Sequence, residues 1–461
     1  MRNRKIYFLG IGGIGMSALA QYFMQEGCEV HGYDLTPSPI TDMLSRKGAH
    51  IHFEPDVDAI PDDIELAVFT PAIHPDFPEY RHLEAMGVRL LKRSQVLGIV
   101  TDKFRTIAVA GTHGKTTTTS MVEHILHGIP NTLLAFIGGI SKNIDDNYYY
   151  EKRSGSGGMP ISVVEADEYD RSFLTLHPAV SVITSVDADH LDIYKNDSNL
   201  EAAFQQFANQ SEYVIIEEKV NDKITKDPAK KLVYGLSDSC DCRPYNIRHS
   251  GESTIFDLHT PFVVLKDMRT NLHGIYNILN FTAAISAFLL IKEIGGLHSD
   301  NAIDLQDFVW EKTSSFLGVK RRFDYIVKRD DMVFIDDYAH HPNEMRSFFN
   351  AVRELYPGKK VCGVFQPHLY SRTRDFADDF AGALSLLDKV ILLPIYPARE
   401  APIEGIDSEF LLGKIPITDK LVLQKGELAR HLKENRPEVL LTVGAGDIDR
   451  LVPLIAEALS E

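Results

Sequence analysis

The sequence predicts an α/β protein of three domains, and three observations support this fold class. The length of 461 residues matches about three domains of ordinary size. Short apolar runs alternate with helix-length segments near both ends of the chain, which is typical of parallel sheets flanked by helices. Two of these runs lead into glycine-bearing turns that precede a helical pattern. We place the domains at residues 1–102, 103–317 and 318–461.

The first domain begins with a β-α-β unit that predicts a Rossmann-like fold. Strand Lys5–Leu9 is followed by the turn GIGGIG, a helix to about Gln25 and strand Glu29–Tyr33. The turn fits the pattern G-x-G-x-x-G, and an acidic side chain ends the second strand. Such a turn lets a diphosphate approach the backbone, and such a carboxylate bonds a ribose hydroxyl. UDP, NAD and FAD all remain open as ligands of the candidate residues Gly10, Gly12, Gly13, Ile14, Gly15 and Asp34.

The central domain opens with a second glycine turn, GTHGKTT, which lies between an apolar run and a helical pattern over residues 116–128. It fits the phosphate-binding pattern G-x-x-x-x-G-K-[ST] incompletely, because Val109 stands in the place of the first glycine. Backbone N–H groups for phosphate oxygens, the Lys115 ammonium and the Thr116 hydroxyl for Mg2+ remain. We therefore predict a parallel sheet of the P-loop ATPase type, with nucleotide-binding residues Gly111, Thr112, His113, Gly114, Lys115, Thr116 and Thr117.

Two further strands of the central domain end in acidic clusters. The segment EADEYD, residues 165–170, follows the run ISVV, and DADHLD, residues 187–192, follows VSVITS. Ligands bind beyond the carboxyl ends of parallel strands, so both clusters are expected near the second glycine turn. Mg2+ prefers oxygen ligands, which favours Glu165 and Thr116, and His190 is a less usual third candidate.

A long apolar helix is predicted to begin at about Asn277. Asn277 and Asn280 lie three residues apart and share one of its faces. A helix-capping role is sufficient to explain Asn277 but leaves Asn280 unexplained. Two asparagines at this spacing are also suited to reading the edge of a nucleotide base, so both interpretations stay open.

The stretch DDNYYYEKRSGSGG, residues 145–158, is predicted to be a surface excursion of the central domain. It is polar and ends in serines and glycines. That composition is typical of a loop.

The third domain is predicted to be a second Rossmann-like unit. Apolar strands over residues 332–335, 360–365, 390–393 and 439–443 alternate with helix-length segments. Two histidine-bearing segments, DDYAHHPNE and FQPHLYSRT, directly follow strands of this set. The second contains Arg372, whose guanidinium is able to clamp a carboxylate.

The composition excludes several broad classes. A formal net charge of −17 argues against nucleic acid or anionic membrane as a partner. The four cysteines lack the spacing of a disulfide framework or a zinc site. The basic and apolar start of the chain is interrupted by glycines, which disfavours a signal peptide. We expect a cytoplasmic protein, and its oligomeric state stays open.

Taken in order, the motifs resemble one family across the whole chain, the Mur ligases, which are ATP-dependent amide-forming enzymes of peptidoglycan synthesis. The resemblance rests on the segments GIGGIGMS, GTHGKTTT, EADEYDRSFL, DHLD, N-x-x-N, GVKRRFD, DDYAHHP, FQPHLYSRT and GAGDI. It implies an enzyme that uses ATP and Mg2+ to join L-alanine to the carboxylate of UDP-N-acetylmuramate through an acyl phosphate. The first domain would bind the sugar nucleotide, the second MgATP and the third the amino acid.

The resemblance also assigns roles by position. Lys115 would contact phosphate, and Thr116, Glu165 and His190 would serve the metal. The residues implied to lie near the nucleotide are Asn277, Asn280, Arg322 and Asp337. Those implied to surround the incoming amino acid are Tyr338, His340, His368 and Arg372. Our catalytic assignment is Lys115, Glu165, His190, His340 and Arg372, with His340 holding or deprotonating the amine.

The chain departs from the family pattern at several positions. Tyr276 replaces the usual histidine before the first asparagine, and Leu369 and Ser371 stand where alanine-adding members commonly have arginine and threonine. Phe204 lies near the place of the carbamylated lysine of sister enzymes, so no modified lysine is expected. The loss of an arginine at Leu369 leaves more of the carboxylate binding to Arg372.

Three alternatives remain at this point. A recycling ligase that adds a whole tripeptide to the same sugar nucleotide belongs to the same family, although FQPHLYSRT favours the single-residue enzyme. A nicotinamide-dependent oxidoreductase would explain the first glycine turn but leaves the second without a use. A regulatory ATPase without ligase activity would need none of FQPHLYSRT.

Overall fold

The computed structural model describes residues 4–153, 159–187, 197–250, 253–297, 304–398 and 400–460. The chain divides into two compact units. The first comprises Met1–Leu272 and Asn277–Leu317, and the second comprises His273–Tyr276 and Gly318–Glu461. The division after Leu317 coincides with our boundary for the third domain, while the roles assigned to the three domains stay predictions.

The amino-terminal part of the first unit is a five-stranded parallel sheet with the order β3-β2-β1-β4-β5. Its strands are β1 (Lys5–Leu9), β2 (Glu29–Tyr33), β3 (His50–His52), β4 (Ile64–Phe69) and β5 (Arg89–Lys92). Its helices are α1 (Ile14–Gln25), α2 (Pro39–Arg46), α3 (Pro78–Ala85) and α4 (Arg93–Thr101). Strand β1, helix α1 and strand β2 follow one another as predicted, and β1 and β2 pair in parallel, which confirms the Rossmann-like prediction for this region.

A seven-stranded sheet with the order β12-β11-β10-β6-β9-β7-β8 follows in the same unit. Its strands are β6 (Arg105–Ala110), β7 (Leu133–Ser141), β8 (Asp146–Glu151), β9 (Ile161–Glu165), β10 (Val180–Ile183), β11 (Tyr213–Glu217) and β12 (Lys231–Tyr234). Helices of this region are α5 (Lys115–Leu126), α6 (Asp197–Gln210), α7 (Ile275–Glu293) and α8 (Leu305–Ser315). Three antiparallel strands, β13 (Arg243–Ser250), β14 (Ser253–His259) and β15 (Val264–Thr270), form a separate small sheet.

The prediction of a surface loop over residues 145–158 is wrong for its first part. Residues 146–151 form the edge strand β8, antiparallel to β7. Tyr148 is buried beside Phe136, with ring centroids 5.8 Å apart, and the Asn147 amide donates to Ser17 Oγ on α1 at 3.2 Å. Three consecutive tyrosines favour a strand, and burial against α1 outweighed the polar composition. Residues 154–158 lie outside the described part of the chain.

The second unit contains a six-stranded sheet with the order β16-β17-β21-β18-β19-β20. The strands are β16 (Asp324–Lys328), β17 (Val333–Asp337), β18 (Val361–Phe365), β19 (Lys389–Leu392), β20 (Lys420–Val422) and β21 (Val439–Val443), and only β16 is antiparallel to its neighbour. Its helices are α9 (Pro342–Leu355), α10 (Tyr370–Asp375), α11 (Ala377–Leu384), α12 (Ser408–Lys414), α13 (Lys425–Glu434) and α14 (Val452–Ser460). The second Rossmann-like prediction is confirmed.

Helix α7 is the one helix among the described residues that is long and apolar enough to cross a membrane. Most of it lies inside the protein, with 78% of its apolar window buried. Its residues Phe281, Ile285 and Phe288 are fully buried. This burial is that of a core helix.

Candidate active site

The loop between β6 and α5 has the backbone that its two glycines predict. Gly111 has φ +140° and Gly114 has φ +80°, which side-chain-bearing residues rarely adopt. A β-carbon at Gly111 would lie 2.1 Å from Thr184 Oγ1, and one at Gly114 would lie 2.9 Å from Asn280 Oδ1. The loop therefore passes close to the end of β10 and to α7, where only glycine fits.

Lys115 begins α5 and turns its ammonium back into the loop. Its Nζ donates to the Gly111 carbonyl at 2.5 Å and to Glu168 Oε1 at 3.0 Å. Burial by itself would lower the pKa of Lys115, but the carboxylates of Glu168, Glu165 and Asp167 outweigh it and hold the pKa above its ordinary value. A permanently charged ammonium thus stands at the loop that the sequence assigned to phosphate.

The segment that follows β10, residues 184–187, is hydrogen-bonded to the same glycine loop. Thr112 Oγ1 lies 2.8 Å from Ser185 Oγ and accepts the Asp187 backbone N–H at 3.1 Å. His113 Nε2 lies 3.3 Å from an Asp187 carboxylate oxygen. The expected convergence of this strand end on the glycine loop is present, whereas His190 lies outside the described residues.

The hydroxyl-rich start of α5 is buried. Thr116 and Thr117 are 7% and 9% exposed, and both lie in the first turn of the helix. Their position at the positive end of α5 suits the phosphate and metal roles predicted for them. Those roles stay predictions.

Glu165 ends β9 and faces a cavity of about 260 Å³. The Gly138 backbone N–H donates to Glu165 Oε2 at 3.1 Å, and a β-carbon at Gly138 would lie 2.2 Å from the same oxygen. Glycine at 138 is therefore what admits the carboxylate. The cavity is lined by Gly13, Ile14, Gly15, Met16, Ala18, Thr70, Arg93, Leu97, Phe136, Ile137, Gly138, Glu165 and Asp167.

The cavity brings together two predicted sites that are far apart in the sequence. Part of the lining comes from the end of the glycine turn and the start of α1, and another part comes from Glu165 and Asp167 at the acidic end of β9. Gly10, Gly12 and Asp34 do not line it. Instead, Asp34 Oδ2 accepts the Gly12 backbone N–H at 2.7 Å and Oδ1 accepts that of Thr36 at 3.3 Å. Asp34 thus supports the turn, and its predicted ligand contact stays untested.

Arg93 is a cavity residue that our sequence reasoning missed. It begins α4 directly after β5, and its guanidinium lies 3.6 Å from an Asp167 carboxylate oxygen. A β-carbon on Gly15 would lie 3.0 Å from Arg93 Nη1. The signal was available, because Arg93 follows the carboxyl end of a parallel strand as the other candidates do.

The two asparagines of α7 lie in its first two turns and are buried. Asn277 is 4% and Asn280 8% exposed, and the Asn280 amide reaches Asn277 Oδ1 at 3.5 Å. The helix begins at Ile275, so Asn277 lies inside it and the capping interpretation is wrong. A β-carbon on Gly114 would lie 2.9 Å from Asn280 Oδ1, so the Asn280 side chain lies beside the glycine loop, and its base-reading role stays a prediction.

In the second unit, Asp337 organises the segment that carries Arg322. Its two carboxylate oxygens accept the backbone N–H groups of Phe323, at 2.7 Å, and Ala339, at 2.8 Å. Burial raises the pKa of Asp337 to about 6. The Arg322 guanidinium lies 5.0 Å from the centre of the Tyr338 ring, a cation–π distance. Asp337 has a positioning role here, and direct contact with the nucleotide stays a prediction.

Three of the four residues predicted around the amino acid, Tyr338, His340 and His368, form one cluster in the second unit. The rings of His340 and His368 lie 6.3 Å apart, and His368 stacks on Tyr396 at 5.7 Å. Tyr338 lies against His340, with ring centroids 5.4 Å apart. Arg372 lies in the following helix α10 and is 8% exposed.

Three departures from the family pattern have clear structural settings. Leu369 adopts φ +68° and ψ +135°, a strained conformation for a residue with a β-carbon, directly before α10. Ser371 donates its backbone N–H to Glu400 at 3.0 Å. Phe204, on α6, is fully buried against Phe173 with ring centroids 5.1 Å apart.

The chain matches three domain descriptions in succession. Residues 5–105 match the Mur ligase family catalytic domain, residues 109–288 the Mur ligase middle domain, and residues 321–447 the Mur ligase glutamate ligase domain. The chain is 43% identical to UDP-N-acetylmuramate–L-alanine ligase of Flavobacterium johnsoniae over 461 residues, which cover 99% of this chain and 98% of the relative. It is 46% identical to the enzyme of that name from Christiangramia forsetii over 472 residues, with the same two coverages.

Solved structures give the same picture. A crystal structure of UDP-N-acetylmuramate-alanine ligase from Thermotoga maritima superimposes with a TM-score of 0.79 at 27% identity, and covers 99% of each chain. A murein peptide ligase from Psychrobacter arcticus gives a TM-score of 0.70 at 19% identity, also over 99% of each chain. At that identity the second likeness concerns the fold alone.

Proposed function

Because this chain belongs to the Mur ligase family, we propose that it joins L-alanine to the carboxylate of UDP-N-acetylmuramate in an ATP-dependent reaction. The resemblance stated from the motifs is confirmed by the domain matches and by full-length relatives. The choice of L-alanine as the amino-acid substrate rests on the identities of 43% and 46% to L-alanine ligases. Neither the oxidoreductase nor the regulatory ATPase finds support in them.

The observation that carries the reaction class is the cavity between the first glycine turn and the end of β9. A sugar diphosphate held at the turn would extend toward Glu165, close to the buried Lys115. When bound, ATP would supply the activation: its γ-phosphate would pass to the substrate carboxylate, giving an acyl phosphate and ADP, and the amine would then attack the acyl carbon and expel inorganic phosphate. The chain therefore has to hold the two substrates with the carboxylate next to the transferring phosphate.

Lys115 has the properties that this transfer needs. Its ammonium is charged, buried and held by the Gly111 carbonyl and Glu168, so it requires little rearrangement to stabilise charge on the phosphate. Replacing Lys115 by an uncharged residue would remove the ammonium that stabilises the negative charge on the transferring phosphate.

Mg2+ fits the donors at this site. Glu165 offers a carboxylate at the cavity, and Thr116 offers a hydroxyl at the start of α5. Mg2+ prefers such oxygen donors together with phosphate oxygens, whose charge it neutralises. We include His190 in the metal set from the family pattern alone.

His340 is proposed to accept the proton of the amine. Its Nδ1 lies 3.1 Å from the Tyr338 carbonyl oxygen, which only accepts hydrogen bonds, so Nδ1 carries the proton. The second nitrogen, Nε2, is then the basic one. A His340→Gln variant should lose the acidic limb of the pH profile of kcat. An unchanged profile would remove His340 from this role.

Arg372 is proposed to bind the carboxylate of L-alanine. It is buried in α10, which begins two residues after His368, and a guanidinium binds a carboxylate in two parallel hydrogen bonds. We propose the cytoplasm as the compartment, where ATP and sugar nucleotides are available.

The test is phosphate release from ATP in the presence of Mg2+ and UDP-N-acetylmuramate. L-alanine, glycine, L-serine and the tripeptide are offered separately, and the product mass is determined. Release with L-alanine and a product heavier by one alanyl residue is expected. Release only with the tripeptide would identify the recycling enzyme, and release with none would refute the proposed activity.

A further inference from the structure

Glu29, His31 and His50 form a compact group on the first sheet that the ligase reaction does not use. One potential ligand atom from each lies within 4.8 Å of those of the other two. Glu29 and His31 lie two residues apart on β2, and side chains at this spacing lie on the same face of a sheet. His50 lies on the neighbouring β3, directly in register with His31. The pleat of β2 and its pairing with β3 therefore bring one carboxylate and two imidazoles close together on one face of the sheet.

The two imidazoles are already arranged side by side. Their ring centroids are 4.7 Å apart and the rings are inclined by 24°, so the stacking follows the spacing of neighbouring strands. His31 Nε2 lies 2.7 Å from Glu29 Oε1. Small side-chain rotations suffice to reach the separations of about 3.4 Å that tetrahedral bonds of about 2.1 Å require.

We propose that Glu29, His31 and His50 bind a late first-row transition-metal ion such as Zn2+. Two imidazole nitrogens and one carboxylate oxygen are a donor set that suits Zn2+, Cu2+ and Ni2+ and disfavours Mg2+, which prefers oxygen alone. Three protein ligands leave at least one coordination position to water. The ion would join β2 to β3 at an edge of the sheet.

The surroundings allow an ion to enter and to remain. The His31 and Glu29 side chains are 13% and 31% exposed, and His50 is exposed, so solvent reaches the group. The nearby ammonium of Lys5 is paired with Asp63 at 2.8 Å, which reduces its repulsion of a cation.

Glu29 and His50 are the first residues of β2 and β3, and His31 is the middle residue of β2. None of the three is among the candidate Mg2+ donors Thr116, Glu165 and His190. The proposed ion is therefore separate from the Mg2+ of the reaction. Its expected effect is on the stability of the first sheet, independent of the proposed ligase activity.

The test is titration of the full-length chain with Zn2+ by calorimetry, with Mg2+ present in excess. The unaltered chain should bind one Zn2+ at this site, and His50→Ala should weaken that binding by at least about tenfold, the smallest loss typical even for residues that only support a ligand. His50 is exposed, so its replacement leaves the core intact. His259→Ala, an exposed histidine of β14, is the matched control and should bind as the unaltered chain does.

A second readout identifies the donors. Cu2+ bound to the unaltered chain should show nitrogen couplings from two imidazoles in its electron paramagnetic resonance spectrum, and from one in His50→Ala. A His31→Gln variant should behave in the same way. Equal Zn2+ affinity in the unaltered chain and in His50→Ala, or spectra that do not differ, would overturn the proposal.

Discussion

The two glycine turns of the first unit have the same local design and very different chemistry. Each follows a buried strand and precedes a helix, a position where backbone N–H groups are able to bind a phosphate. The turn before α5 adds Lys115, whose ammonium is buried among carboxylates from a neighbouring strand end. The turn before α1 contains no charge of its own and faces Arg93, which β5 brings to it. The chemistry of each turn is thus set by charges from other strands.

The largest effect should follow from removing the charge of the second turn. Lys115→Ala is expected to lower kcat on the order of 100-fold to 1000-fold, as loss of one preorganised charge contact does. Steady-state phosphate release measures it. Lys92→Ala removes an ammonium that is 44% exposed and paired with Asp170, and should leave kcat within about twofold. Similar losses in both variants would contradict the comparison.

The next effect concerns the partner that holds Lys115. Glu168→Gln leaves that buried ammonium with less compensating charge and should lower the free energy of unfolding by about 3 kcal/mol, the lower limit for a broken buried pair. Urea denaturation checks this value. Asp170→Asn breaks the more exposed pair with Lys92 and should lower it by less than about 1 kcal/mol. Equal values would mean that burial does not distinguish the two pairs.

Alanine at one glycine of each turn sharpens the comparison further. Gly111→Ala combines φ +140° with a clash against Thr184 and should destabilise the fold by about 2 kcal/mol. Gly15→Ala meets only the flexible Arg93 side chain, whose Nη1 and Cδ lie 3.0 and 3.1 Å away, so a loss below about 1 kcal/mol is expected. Thermal denaturation of both variants compares them. A larger loss for Gly15→Ala would show that the first turn is the less tolerant one.

The smallest effect should separate the two substrates. Arg93→Met is expected to raise the KM for UDP-N-acetylmuramate roughly tenfold, near the lower end of what a charged hydrogen bond contributes, and to leave the KM for ATP unchanged. Arg81→Met, which removes an exposed arginine of α3, is the control. If only the KM for ATP increased, Arg93 would be assigned to ATP binding at the second turn and not to UDP-N-acetylmuramate binding at the first.

Much of the fold was predictable from short segments. Strands β1, β2 and β21 have the predicted bounds, and the glycines at 111 and 114 have the positive φ angles that their loop demands. The error at residues 145–158 has a different origin, because β8 is a strand through its pairing with β7 and the burial of Tyr148. Composition reports local preference and contains no information on which neighbour will cover a segment.

The candidate site shows the same division. Lys115, Thr116 and Glu165 were identified because each lies in or next to a recognisable turn or strand end. Glu168 as the partner of Lys115 and Arg93 as a wall of the cavity were not identified. The two contacts join residues that belong to different elements, and their proximity depends on which strands are neighbours.

By itself, the sequence determined the α/β class, the two phosphate-suited turns and the family. These features depend on spacings of a few residues, which backbone geometry converts directly into structure. Only the tertiary structure decided that Glu165 meets the first glycine turn across a cavity, that Asp34 supports that turn, and that His31 lies opposite His50. The physical reason is that strand order and register arise from the burial of whole faces, and no short segment contains that information.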